Sequence, residues 1–310
     1  MMTVNRSFQH FLESLELREK ERDEASRQHQ YLREALQKKM SVEDNFISGS
    51  YARSTALRPL NDIDIFLVLK RTEKLSPSAS PETILREVKA MLEVIYPGKT
   101  AKLQSRSVNI EFSGTNIAYD VVPAFSDRED VYLIPDRDEP TWIETNPKVH
   151  KELSTNANRR ADNKLKPLVK AVKHANNVHK GGARSFHLEV LSWKILTSPP
   201  KTFLAGLRTL LDGLAAKVCV PCPEPAGLGP DIRPSAARCR KAQSWLGEMA
   251  KLAGEAESLA DDGRTGEAHV QLRELFGKEW PEEGSSNRHS AGGAVVIGGG
   301  AVDDSRSRFG

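Results

Sequence analysis

Three acidic residues stand where strands should carry apolar ones. In the run Asp62-Ile63-Asp64-Ile65-Phe66-Leu67-Val68-Leu69, two carboxylates lie two positions apart. A third, Asp120, interrupts the apolar run Ala118-Tyr119-Asp120-Val121-Val122. Strand side chains alternate between faces, so Asp62 and Asp64 share one face, about 7 Å apart, while Ile63, Ile65 and Leu67 point to a core. Asp120 and Val122 likewise oppose Tyr119 and Val121. Two solvated acids on a half-exposed edge strand account for the Asp-x-Asp pattern taken alone. A third acid inside another apolar strand is costly unless it is paired or metal-bound. Hard cations prefer carboxylate oxygens, and three carboxylates on two neighbouring strands can hold two Mg²⁺ ions, or Mn²⁺ in their place. Two such ions about 4 Å apart activate an attacking hydroxyl and stabilise the leaving oxygen of an in-line phosphoryl displacement.

A phosphate-binding element stands close by. Gly49-Ser50 closes a strand-like Phe46-Ile47-Ser48 twelve residues before Asp62 and precedes a stretch that can open a helix. Glycine allows a close backbone approach to a ligand, and a serine at a helix start sets its hydroxyl beside free N–H groups, where phosphate binds. An ordinary helix cap is the alternative for this pair. Further on, Lys166, Lys170 and Lys173 form one stripe of a helical pattern, and Leu165, Leu168, Val169 and Val172 form another. Residues 151–184 hold nine Lys and Arg against Glu152 and Asp162. A solvated basic face explains the stripe alone; a triphosphate site needs such cations.

These residues need a scaffold, and the chain has length enough for one. Its 310 residues fit one large domain or two smaller ones. The net charge of +3 is too small for wholesale nucleic-acid coating, so any basic site must be local. Three cysteines make no disulfide framework, and the odd count points to a reducing compartment. Cys219, Cys222 and Cys239 have no histidine at zinc-site spacing and read as ordinary thiols. The charged N-terminus lacks the apolar core of a signal peptide, and no run reaches the length of a transmembrane helix; a cytoplasmic address is expected, with no membrane partner.

The periodicity predicts one helix over 5–39, strands between 45 and 135, a helix over about 81–95 stopped by Pro97-Gly98, and helices through most of 136–283. Pro167 marks a helix start. Trp142, Trp193, Trp245 and Trp280 are scattered and expected in the core. Residues 284–310 hold seven Gly and five Ser and read as a disordered tail. The expected units are 1–135, an N-terminal spine helix with a sheet; 136–283, a helical domain closing a cleft; and the tail 284–310.

The pattern Gly49-Ser50…Asp62-x-Asp64…Asp120, in the forms "GSYARSTALRPLNDIDIFLV" and "YDVVPAF", resembles the cGAS/DncV-like nucleotidyltransferases of the DNA-polymerase-β superfamily, also called CD-NTase or SMODS proteins. The resemblance covers roughly residues 5–283. It implies an α/β fold: a polymerase-β-like palm sheet with a helical second domain, the long N-terminal helix bridging both. It implies Mg²⁺-dependent synthesis of cyclic di- or trinucleotides from NTPs in bacterial anti-phage (CBASS) signalling, with a downstream effector reached through the product. By the family's roles, Ser50 contacts the donor triphosphate beside Gly49, Asp62 and Asp64 ligate both ions, and Asp120 ligates the catalytic one and helps deprotonate the acceptor hydroxyl. Lys173 contacts the donor phosphates, and Ser185, in Ser-Phe-His-Leu-Glu, contacts phosphate or base. Arg53 and Thr55 support the glycine-serine segment; Phe186, Leu188 and Leu191 pack, as do His187 and Glu189 on the simpler reading. In some of these systems a ubiquitin-transfer-like partner conjugates the enzyme through its last residue, here Gly310. The rival readings are transfer of a nucleotide to a protein or tRNA, as in toxin–antitoxin modules, and a catalytically silent nucleotide or RNA sensor. Retention of all three acids argues against the sensor.

Overall fold

The computed structural model describes residues 2–112 and 117–282; the expectations for the tail and for Gly310 lie outside the described residues. Two helices, not one, open the chain: α1 (Val4–Ser14) and α2 (Glu19–Lys39). No proline or glycine breaks the predicted 5–39 helix. Tertiary contacts do. Leu15 is buried in the helical core and Leu17 against the sheet. The Leu15 carbonyl accepts from the Arg58 backbone N–H at 3.1 Å, and the Glu21 carboxylate caps α2 by accepting from the Arg18 N–H at 2.7 Å. The bridge between the two halves is therefore a pair of helices. Phe8 of α1 packs among Phe203, Phe276 and Trp280, and α2 lays Ala25, Leu32 and Leu36 on the sheet.

The sheet is built from β1 (Val42–Ile47), β2 (Asp62–Leu69), β3 (Lys102–Leu103), β4 (Val108–Phe112), β5 (Ile117–Arg128), β6 (Val131–Asp136) and β7 (Thr141–Thr145). A short helix, α3 (Gly49–Ala52), joins β1 to β2, and α4 (Pro81–Ile95) follows β2. The order is β1-β2-β5-β4-β3, with β6 pairing the far end of β5 and β7 pairing β6. Among the described residues only β2 and β5 run parallel; the other pairs are antiparallel. The helix predicted over 81–95 is α4, with Pro81 in its first turn and the Ser80 hydroxyl accepting from the Thr83 N–H at 3.2 Å. It buries Ile84, Leu85, Val88 and Leu92 against the sheet, each worth about 1.5–3 kcal/mol.

Both faces of β2 are covered, which is why it reads as almost continuously apolar. Ile63, Ile65, Leu67 and Leu69 meet α2 and α4, while Phe66 and Val68 pack with Val122, Ala124, Tyr132 and Ile134. Sheet structure extends past residue 135: β7 lies in a segment expected to be helical, with half-buried side chains along its pairing with β6. From there the chain is helical: α5 (Pro147–Arg160), α6 (Leu165–Val178), α7 (Ser185–Ile195), α8 (Phe203–Lys217), α9 (Ala236–Asp261) and α10 (Thr265–Phe276). These share one apolar core with α1. Pro167 stands in the first turn of α6. Trp193, Trp245 and Trp280 are buried, and Trp142 packs on Phe125. No helix among the described residues is long and apolar enough to cross a membrane.

Candidate active site

Strands β2 and β5 place the acids. Their parallel pairing sets Asp64 directly beside Asp120, and Asp62 beside Ala118. Asp62 is exposed; Asp64 and Asp120 are half-buried. On the other side of Asp120, Asn109 of β4 is its register partner, and its Nδ2 donates to Asp120 Oδ1 at 2.7 Å. Gln104, itself held by the Ser107 hydroxyl at 2.6 Å, also bonds Asp120. Burial, then the negative charges of Asp62 and Asp120, push the Asp64 carboxyl up to about 7. Burial also raises Asp120. Among the described residues no three His, Cys, Asp or Glu side chains close into a ready metal cage. The donor set nevertheless fits a hard divalent cation. It consists of oxygens alone, and the crowding that raises Asp64 is relieved by positive charge between the carboxylates.

The glycine-serine turn is fitted to these acids. Gly49 has φ +65°, and a Cβ there would collide with Asp64 Oδ2, so only glycine lets the backbone pass. The Ser48 N–H donates to the Asp64 carbonyl at 2.8 Å, fixing the turn to β2. Ser50, half-buried, has its carbonyl held by the N–H groups of Thr55 at 2.9 Å and Ala56 at 3.1 Å. The Arg53 N–H likewise donates to the Gly49 carbonyl at 3.2 Å.

The lysine stripe is not a solvated face. Lys170 is buried and donates to Glu16, in the break between α1 and α2, at 2.7 Å. Lys173 is buried and donates to the Thr55 carbonyl at 2.8 Å and to Glu189 at 3.0 Å. Burial lowers the pKa values of Lys166 and Lys170. Glu189, fully buried on α7, also takes Arg53 Nε at 2.9 Å. Burial alone would raise this carboxyl, but Arg53 and Lys173 hold it below the ordinary carboxylate range. The Arg53 guanidinium lies over the Phe186 ring, 4.8 Å from its centroid.

A cleft of about 640 Å³ collects these groups, a size suited to a nucleotide-scale ligand. The sheet half lines it with Gly49, Ser50, Asp62, Asp64 and Asp120, and the helical half with Lys173, Ser185, Phe186 and His150. Every predicted site residue within the described chain therefore reaches one cavity. Ser185 does so as the exposed first residue of α7. The sequence reading missed Asn109 and His150. Asn109 carries a signal in hindsight, a polar residue interior to a strand that pairs with β5. His150, bonded to Glu224 across the helical half, carries none. The three cysteines are free thiols, one half-buried and two buried.

Comparison with known proteins agrees with this geometry. The sequence model of the Second Messenger Oligonucleotide or Dinucleotide Synthetase (SMODS) domain matches residues 2–158. A cyclic AMP-AMP-AMP synthase of an Acinetobacter strain is 28% identical over 309 residues, covering 92% of this chain and 88% of its own. In fold, the chain matches the structure of E. coli CdnC with ATP (TM-score 0.73, 19% identity, 90% of this chain and 99% of that one). It also matches Vibrio cholerae DncV with the linear intermediate pppA(3′,5′)pG (TM-score 0.63, 16% identity, 77% and 70%). With half of its length matched by the SMODS model and a polymerase-β-like sheet beneath its acids, the chain belongs to the cGAS/DncV-like nucleotidyltransferases, the CD-NTase family of cyclic oligonucleotide synthases.

Proposed function

We propose that this enzyme joins NTPs into a cyclic di- or trinucleotide second messenger for anti-phage signalling, with Mg²⁺ as its cofactor and Mn²⁺ as a substitute. The observation that carries the reading is the in-register pair Asp64–Asp120, with the Gly49 backbone against Asp64, at the floor of a nucleotide-sized cleft. Asp62, Asp64 and Asp120 are the residues that would hold two divalent ions; bound there, the ions would supply charge neutralisation of the triphosphate and a more acidic ribose hydroxyl. The chain's own groups do the rest. Gly49 and Ser50 offer an N–H and a hydroxyl to the donor phosphates. Two of the three Lys173 donors are used by Thr55 and Glu189 among the described residues, which leaves the third for a phosphate oxygen. Ser185 contacts phosphate or base from the facing helix. Asp120, oriented by Asn109, accepts the proton of the attacking hydroxyl as its oxygen bonds to the α-phosphorus and pyrophosphate leaves. Positioning and fixed charge carry such a transfer.

The Acinetobacter relative's name makes ATP the first substrate to test. Residues 1–135 and 136–283 act in this reading as the two jaws of the cleft, with the effector reached through the diffusible product. CdnC is known in complex with a HORMA protein, and a partner of that class is the one we propose here. The test is incubation with the four NTPs and Mg²⁺, with mass spectrometry of the products. A phosphatase-resistant cyclic nucleotide, absent from Asp62→Ala/Asp64→Ala, is expected. Nucleotide label on a protein or tRNA, with no cyclic product, would establish the toxin-like reaction instead. Phage challenge of bacteria carrying the gene and its chromosomal neighbours, with either form of the enzyme, tests the signalling role.

A further inference from the structure

Glu189 has a place that packing alone does not explain. It is a fully buried carboxylate, and such a group is costly unless paired and hydrogen-bonded. Each of its oxygens has one cation: Oε2 takes Arg53 Nε at 2.9 Å, and Oε1 takes Lys173 Nζ at 3.0 Å. The three residues come from three separate elements. Arg53 caps the end of α3, directly after the glycine-serine turn, Lys173 lies on α6, and Glu189 lies on α7. Lys173 also donates to the carbonyl of Thr55 at 2.8 Å, and the Thr55 N–H in turn holds the carbonyl of Ser50 at 2.9 Å. A continuous polar chain therefore runs from Glu189 through Lys173 and Thr55 to Ser50, and a second runs through Arg53 to the same turn. Arg53 further stacks on Phe186, one helical turn before Glu189.

We propose that Glu189 is a positioning residue for nucleotide binding: it clamps the glycine-serine turn of the sheet to the helical half and fixes the Lys173 ammonium so that its remaining N–H serves the donor phosphates. This rests on the reading of Lys173 as a phosphate contact. Glu189 touches no substrate; it acts through Lys173 and Arg53. Three donors on a flexible four-carbon stem need such fixing, because a lysine is a mobile point charge. With Oε1 and Oε2 each committed to a different cation, a glutamine can satisfy only one of them, since its second terminal atom is a donor.

The experiment is steady-state pyrophosphate release with Mg²⁺ and the preferred NTP, on wild type, Lys173→Met, Glu189→Gln and the double variant, with thermal melts alongside. Lys173→Met is expected to raise KM more than tenfold. Glu189→Gln is expected to raise KM about tenfold with kcat within threefold of wild type. The double variant is expected to match Lys173→Met within twofold, because the glutamine oxygen still accepts from Arg53 and holds the glycine-serine turn, while the lysine contact that the carboxylate positions is already gone. A purely structural Glu189 would multiply its effect onto Lys173→Met or lower kcat and KM without order, and either result overturns the inference. So does a Glu189→Gln enzyme of wild-type KM beside an impaired Lys173→Met. An unchanged KM in Lys173→Met overturns the phosphate reading itself and this inference with it. If Glu189→Gln alone does not fold, the double variant, which removes a cation together with a carboxylate charge, is compared with Lys173→Met by the same twofold criterion.

Discussion

The crowding of carboxylates at the cleft floor predicts that, without a bound cation, the protein is held back in stability by its own candidate site. Burial and the charges of Asp62 and Asp120 lift Asp64 from 3.8 to about 7. The sign follows from proton binding. With a raised folded pKa, the native state binds the proton more tightly than the unfolded chain does, so the contribution is most favourable at low pH and is lost as pH rises through about 7. Replacement by neutral asparagine removes the penalty. At pH 8.5 the carboxyl is ionised in both states, and a gap of about three units at 1.36 kcal/mol each gives at most about 4 kcal/mol. At pH 5.5 the folded group is protonated and the unfolded one is not, which leaves about 2 kcal/mol. For a chain of this size about 2 °C accompanies each kcal/mol. Asp64→Asn should therefore melt about 4 °C above wild type at pH 5.5 and up to about 8 °C above it at pH 8.5, both in EDTA. Excess Mg²⁺ should raise wild type more than the variant and close the gap. The assay is differential scanning calorimetry at the two pH values, with and without chelator. A gap that is absent at pH 8.5, or that shrinks as pH rises, refutes the reasoning: it would mean that Arg53 and Lys173, which oppose the shift, already neutralise the cluster.

Asp62→Ala/Asp64→Ala should abolish pyrophosphate release while the far-UV circular dichroism stays native, and Asp120→Asn should nearly do so; wild-type turnover by either would displace the active site. Gly49→Ala puts a side chain at φ +65° and against Asp64, so it should cost at least about 1–2 kcal/mol and most of the activity, read by melting and by turnover. Glu16→Ala leaves the buried Lys170 ammonium without its carboxylate and should lower the melting temperature measurably. Glu111→Ala, which breaks the exposed ion pair with Lys102, should change stability by no more than about 1 kcal/mol.

What the sequence made legible was local. A carboxylate inside an apolar alternation announces itself, so spacing alone assigns Asp62, Asp64 and Asp120 to strands and to faces. The stop signal Pro97-Gly98 is likewise adjacent in the chain to the last turn of α4, which ends at Ile95. The features that escaped were set by distant partners. The break between α1 and α2 depends on Arg58 and on two separate cores for Leu15 and Leu17. The lysine stripe reads as solvated because its carboxylates, Glu16 and Glu189, lie elsewhere in the chain or on another helix. Glu189 and Arg53 are 136 positions apart, and no periodicity joins them. β7 is short and half-buried, so its alternation carries little contrast.

The parallel register that sets Asp64 beside Asp120 has a consequence for how the protein reaches its native state. A slip of one residue between β2 and β5 turns every side chain on the slipped strand to the opposite face. Here it would drive Asp62 and Asp64 into the layer now filled by Ile63, Ile65 and Leu67 against α2 and α4, and would turn Ile63 and Ile65 into the polar cleft. Two carboxylates in that layer would have no partner and would cost several kcal/mol. The acids therefore act as alignment marks during assembly of the sheet. Their presence makes the neighbouring registers of an otherwise uniform Ile, Leu and Val strand far less stable than the native one, well before any nucleotide arrives.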